Sequence, residues 1–71
     1  MKIEYFPDTD TLSIDFSEKE TIDALEVSEG IVIDIDHQGY PVGLDIDQAS
    51  KHLDLEHLDL VHLPFQINKA A

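Results

Sequence analysis

Apolar and polar residues alternate along most of the first 47 positions, which is the period of a strand with one buried face. A turn over residues 7–10 sets the apolar residues of two such segments opposite one another. The predicted pairs are Ile3 with Ile14 and Tyr5 with Leu12, and, on the other face, Lys2 with Asp15. Because both faces agree, the pattern predicts an amino-terminal antiparallel hairpin.

Three further strands are predicted around residues 23–27, 31–36 and 41–47. The first connection is a three-residue loop, 28–30, whose last position requires positive φ and holds Gly30. Gln38 and Gly39 form the tip of the second connection. The predicted apolar pairs are Val27 with Ile31, Leu25 with Ile33, Ile35 with Val42, Ile33 with Leu44, and Ile31 with Ile46. A slip of one residue would bury the aspartates, so the register is well specified.

The pattern changes after residue 47. Asp47 is predicted to cap a short helix over 48–57, with Ala49 and Leu53 on the side that would cover the sheet. A pentad then repeats three times over 52–66, a period that fits neither a helix nor a strand. We interpret it as a helix that frays, then a strand over 58–63 that Pro64 stops. A pentapeptide solenoid is the alternative, and it needs more than three coils to bury a core.

These elements predict one domain over residues 1–71, because a chain of this length has room for a single core. Residues 1–47 form the antiparallel sheet, 48–57 the short helix, and 58–71 a C-terminal strand or tail. The fold class is α+β: a curved antiparallel β-meander of about five strands. One short helix packs on its apolar face, and the C-terminal segment adds a strand in one version of the fold.

The charge restricts the function. Sixteen acidic residues oppose four lysines and no arginine, a formal net charge of −12. Such a field repels phosphate, which argues against nucleic acid and against anionic membranes as partners. The chain has no Cys, which removes disulfides and thiolate zinc sites. No apolar run is long enough to span a bilayer and no signal peptide is recognisable, so we expect a cytoplasmic protein.

Several turn and strand residues form an ordered pattern along the chain: Ile3, Tyr5, Asp10, Leu12 and Ile14, then Gly30 to Asp34, then Gly39, Val42, Gly43 and Ile46, then Ala49 and Ser50. Their order and spacing resemble the YuzE-like family, small bacterial proteins that are classed as a domain of unknown function. Phe6 departs from the family, which more often has an acidic residue there. The resemblance implies a curved antiparallel sheet with a short helix and no known catalytic residues. It also implies an antitoxin-like role beside a small basic toxin.

The predicted register gathers four carboxylates on the face opposite the apolar residues. These residues are Asp34, Asp36, Asp45 and Asp47. Oxygen ligands of this kind suit Mg²⁺ or Ca²⁺, which makes the four a candidate metal site. A solvated acidic face that keeps the protein in solution is the alternative. No cofactor is predicted.

The histidines and serines do not form a predicted catalytic or zinc site. His52, His57 and His62 are spaced by five, which places them on different faces of a helix or a strand. The serines lie outside any nucleophile motif. We therefore expect no enzyme, although a small hydrolase with a pocket between chains is a third hypothesis.

Five large apolar residues lie within eight positions near the C-terminus. They are Leu58, Leu60, Val61, Leu63 and Phe65. They are candidates either for covering the core of the same chain or for an interface with a second copy or another protein. The function that we expect is a non-enzymatic protein-interaction module, antitoxin-like in its narrower form. The alternative is a divalent-cation-binding module that uses the acidic strand face.

Overall fold

A computed structural model describes residues 1–64 of the chain. Five strands and one helical turn are formed, and they follow the alternating segments of the sequence closely. Their bounds are β1 Lys2–Phe6, β2 Thr11–Asp15, β3 Asp23–Ser28, β4 Ile31–Ile35, β5 Pro41–Ile46 and α1 Ala49–His52.

The strands form one antiparallel sheet, as predicted, but their order is β1-β2-β5-β4-β3. The predicted meander is therefore wrong, because β5 lies between β2 and β4. Gly43 permits this: a Cβ atom there would lie 3.1 Å from the carbonyl oxygen of Ile14 on β2. The strand with the most buried residues is thus central, and β1 and β3, which are exposed along their length, form the edges.

The predicted registers are confirmed except at two bulges. The β1–β2 pairs are those predicted, as are Leu25 with Ile33, Ile33 with Leu44 and Ile31 with Ile46. The pairings predicted for Val27 and Val42 are wrong, because a bulge shifts the register at each. Ser28 and Pro41 pair with Ile31 and Ile35 instead. An extra residue at a bulge bends and twists a sheet, which contributes to its curvature.

The helix is shorter than the predicted 48–57 and begins differently. Gln48 adopts a left-handed conformation (φ 50°), and Asp47 is not the cap. Instead, the Asp47 carboxylate accepts a hydrogen bond from the Thr11 hydroxyl at 3.1 Å. Ala49 is completely buried. A single turn of four residues cannot cover the face of a five-stranded sheet, and the predicted packing of a helix on the apolar face is not shown in the described residues.

Residues 53–64 form turns and bends, and the predicted strand over 58–63 is absent from this part of the chain. On a strand over 58–63 the apolar residues would fall on both faces, Leu58 and Leu60 on one and Val61 and Leu63 on the other, so packing against one sheet would bury only half of them. Leu58 and Val61 each remain 66% exposed. The rest of the predicted tail, including Phe65, lies outside the described residues.

Few apolar side chains are buried. Within residues 1–64 the buried apolar residues are Val42, Ile46 and Ala49, and no large side chain is fully buried. In the described residues the domain is therefore a single sheet layer whose apolar face stays partly exposed, where stable domains generally pack two layers around a core.

Candidate functional site

One face of the sheet, the apolar face, carries a continuous surface across all five strands. Its residues, placed by the cross-strand pairs, are Ile3, Tyr5, Leu12, Ile14, Leu25, Ile31, Ile33, Ile35, Leu44 and Ile46. Ile46 is buried, the other members in the three inner strands are half-buried, and the edge residues are exposed, Leu25 by 49% and Ile3 by 41%. A contiguous apolar patch of this kind on a small protein typically marks an interaction site.

The opposite face, the acidic face, carries most of the charged strand residues. These are Lys2, Glu4, Asp15, Glu26, Asp34 and Asp45. Asp23 pairs with Ile35 and therefore lies on the apolar face, at one corner of the sheet. It is the charged strand residue on that face. The Ser13 hydroxyl donates to Asp45 at 2.7 Å, so this carboxylate has a neutral partner. The two faces therefore differ sharply in polarity.

Asp34 lies at the most crowded point of the acidic face. Partial burial raises its pKa, and the neighbouring charges of Asp45 and Asp15 raise it further. The arrangement depends on Gly43, since the position of its absent Cβ lies 3.4 Å from the Asp34 carboxylate and 3.6 Å from that of Asp15. Like charges are thus held close together without an arginine or lysine between them.

The four aspartates predicted as a metal site are not brought together. Asp34 and Asp45 share the acidic face and Asp47 follows the end of β5, but Asp36 has left the sheet. Its carboxylate folds into the β4–β5 turn. Within residues 1–64, no three His, Asp or Glu side chains are grouped so that they could hold a metal ion.

Asp36 instead organises its turn. Its Oδ1 accepts from the backbone N–H groups of Gln38 at 2.9 Å and Tyr40 at 3.0 Å. These bonds, that of Tyr40 most, hold the pKa of Asp36 below its usual range. The Lys19 Nζ atom lies 3.9 Å from the Asp36 Oδ2 atom. Asp36 is buried although charged, and its bonds to the backbone account for that.

A second cluster, centred on Asp10, was not predicted as a site. Asp10 ends the β1–β2 turn in a left-handed conformation (φ 54°). Its carboxylate accepts from the Ser50 N–H at 3.1 Å, from the Ser50 hydroxyl at 2.7 Å and from the Tyr5 hydroxyl at 2.7 Å. Its carbonyl accepts from the Ala49 N–H at 2.9 Å. Asp10 therefore caps the helical turn from a distant loop. The sequence did hold one indication of this cluster. Its members Tyr5, Asp10, Ala49 and Ser50 are all among the residues on which the family resemblance rests.

The chemistry of this cluster is that of a cap. The hydrogen bonds from Ser50 and Tyr5 lower the pKa of Asp10, and the bond to Asp10 raises the pKa of Tyr5. A carboxylate with a lowered pKa is a weak general base, and a phenol with a raised pKa is a weak acid. The arrangement favours a structural role over acid–base catalysis.

The C-terminal candidates lie outside the sheet. The His57 Nδ1 atom lies 2.8 Å from the Oδ2 atom of Asp54, three residues earlier in the chain. Leu60 and Leu63 are exposed by 39% and 38%, less than Leu58 and Val61. The described part of the proposed interface is therefore accessible to solvent, and its last member, Phe65, lies outside the described residues.

Comparison with known proteins gives a family and no activity. The family model described as protein of unknown function (DUF2283) matches residues 2–50, and the chain belongs to that family. The match begins at β1 and ends at Ser50, so it contains the sheet and both partners of the Asp10 cap.

No curated protein and no solved structure matches the chain. In the described residues, no helix has the length and apolar character needed to cross a membrane. The narrower YuzE-like assignment stays a prediction.

Proposed function

We propose that the chain is a non-enzymatic protein-interaction module of the cytoplasm that binds protein through the apolar face of its sheet. The observation that supports this proposal is the partial exposure of that face in the part of the chain that the structure describes. Its edge residues Ile3, Tyr5 and Leu25 are between 41% and 49% exposed, and of its ten members Ile46 alone is buried. Covering such a face releases about 25 cal/mol for each square ångström of apolar surface, which makes association favourable.

The edges of the sheet are less suited to binding than the face. Edge strand β1 carries Lys2 and Glu4, which pair with each other at 3.3 Å, and edge strand β3 carries Glu26. Charged side chains along an edge discourage the addition of another strand. The face, which carries a charge at one corner, has no such protection.

The antitoxin-like role is the narrower form of this proposal. A chain of net charge −12 attracts a basic protein over long range and accelerates its approach. In that form the acidic face steers the partner, and the apolar face supplies the affinity.

Site-specific photocrosslinking in the cells that make the protein tests the proposal. A benzophenone amino acid replaces Leu25, on the apolar face, or Ala24, its neighbour on the acidic face of the same strand. We expect protein adducts from position 25 and few from position 24. Equal labelling at the two positions, or none at position 25, would refute binding through the apolar face.

A further inference from the structure

We propose that the partner of the apolar face is a second copy of this chain, so that two sheets pack face to face as a sandwich. This inference rests on the proposed function and names its partner. Aligned packing of two sheets about 10 Å apart buries both inner faces and leaves both acidic faces in solvent. The single open layer then becomes half of a two-layer fold.

The distribution of charge permits this pairing in spite of the net charge of −12. Six charged strand residues lie on the acidic face, and Asp23 is their counterpart on the apolar face. Asp23 begins an edge strand, so it lies at the rim of a face-to-face dimer. The carboxylates of the two copies therefore point away from each other, and the inner surfaces match in polarity.

The dimensions of the face suit a dimer. Five strands at about 4.8 Å spacing, each about 18 Å long, give a projected area of roughly 400 Å². Side chains make the accessible area larger than its projection, so two copies bury about 1,200 Å² in total, near the lower limit of specific interfaces.

Residues 1–64 do not supply this cover. With residues 53–64 in place, Leu25 is still 49% exposed and the central residues of the face other than Ile46 are still half-buried. A second sheet covers the whole width of the face, which is about 24 Å.

Light scattering and thermal melts of the purified full chain provide the test. We expect a mass of two chains and a Tm that rises with protein concentration, because dissociation accompanies unfolding. Leu25→Lys and Ala24→Lys add the same charge at adjacent positions on opposite faces. Leu25→Lys is expected to weaken self-association by about tenfold, since it replaces apolar contact on an edge strand by a charged side chain, while Ala24→Lys leaves it unchanged.

A second pair of variants decides the matter if Leu25→Lys does not fold. The chain has no Cys, so single cysteines report contacts between copies. Leu44 lies on the central strand and on the apolar face, and Asp45 follows it on the acidic face. A bismaleimide crosslinker about 10 Å long is expected to link two chains of Leu44→Cys and not of Asp45→Cys, because sheets that pack about 10 Å apart hold facing Cα atoms too far apart for a disulfide.

A folded monomer at all concentrations, or cysteines that link equally well at positions 44 and 45, would overturn the dimer. The photocrosslinks then separate the two proposals. Adducts from position 25 to a different protein, such as a basic toxin, leave the proposed function standing and refute self-association. The absence of adducts refutes both.

Discussion

The carboxylate of Asp10 binds both the backbone N–H and the hydroxyl of Ser50, forty residues further along the chain. Asp10 and Ser50 thereby join the β1–β2 turn to the helical turn that follows β5. Because β2 and β5 are neighbours in the sheet, this contact closes the same end of the fold that their pairing builds. The cap is thus a tertiary contact between the first hairpin and the helical turn that follows the last strand.

Replacement of Asp10 by Asn is expected to lower the Tm by several degrees, because one amide oxygen replaces two carboxylate oxygens that accept three hydrogen bonds. Asn tolerates the left-handed backbone of this position, so the effect isolates the cap. Ser50→Ala and the double variant complete a cycle measured by thermal melts. Additive losses in the cycle would show that Asp10 and Ser50 are not coupled.

The pH dependence of the same variant has a definite sign. The folded-state pKa of Asp10 is lowered, so its contribution to stability is fully present above the ordinary value of 3.8 and is lost as the pH falls through the lowered pKa. The Tm difference between wild type and Asp10→Asn is expected to shrink below about pH 4. A difference that stays constant down to pH 2 would contradict this account.

Tyr5 gives an optical reading of the cluster. Its hydrogen bond to Asp10 raises its pKa above the ordinary value of 10.0. In a Tyr40→Phe background, where Tyr5 is the remaining tyrosine, its ultraviolet titration is expected to move toward 10.0 when Asp10 is replaced by Asn. An unchanged titration would show that the phenol does not donate to Asp10 in solution.

The strands and most of their registers were predictable, because they follow from neighbouring residues along the chain. The strand order and the Asp10 cap were not, because they depend on contacts between distant residues. The alternation of apolar and polar residues predicted which residues of β1 and β2 face each other. Gly30 and Gly39 adopt the positive φ that the β3–β4 and β4–β5 turns require. The position of β5 beside β2 depends on the contact of Gly43 with the Ile14 carbonyl, which no periodicity encodes. For the same reason the sequence placed Asp36 on the acidic face: alternation continues past Ile35, but the chain turns there to satisfy its own backbone.

Removal of the Asp36 carboxylate is expected to loosen the β4–β5 turn. Asp36→Ala leaves the Gln38 and Tyr40 N–H groups without their acceptor, whereas the amide oxygen of Asp36→Asn can still accept both. Hydrogen exchange of these two amides is expected to accelerate strongly in Asp36→Ala and only slightly in Asp36→Asn. Equal acceleration would show that the negative charge, and not the acceptor geometry, holds the turn.

Gly43→Ala is expected to destabilise the fold by about 1 to 3 kcal/mol, although Gly43 has no unusual backbone angle. The added methyl group meets the Ile14 carbonyl at 3.1 Å, and this backbone atom moves only if β2 and β5 separate. Gly39→Ala is a useful comparison, since a Cβ there meets nothing within 4 Å and its cost arises from positive φ alone. Denaturant melts that show no loss for Gly43→Ala would contradict the close approach of the two strands.

Asp34→Asn is expected to stabilise the protein, in contrast to the changes at Asp10 and Asp36. Burial and the charges of Asp45 and Asp15 raise the folded-state pKa of Asp34, so its ionised form costs stability at neutral pH. Removing the charge of Asp34 is expected to raise the free energy of unfolding by about 0.5 kcal/mol. Salt at 150 mM screens the repulsion and reduces this gain. The cost of the ionised form is relieved as the pH falls through the raised pKa toward the ordinary 3.8. The advantage of the variant is therefore largest near pH 7 and absent near pH 3, the opposite of the Asp10 trend. Melts at low salt across this range would refute the repulsion if Asp34→Asn were no more stable than wild type at pH 7.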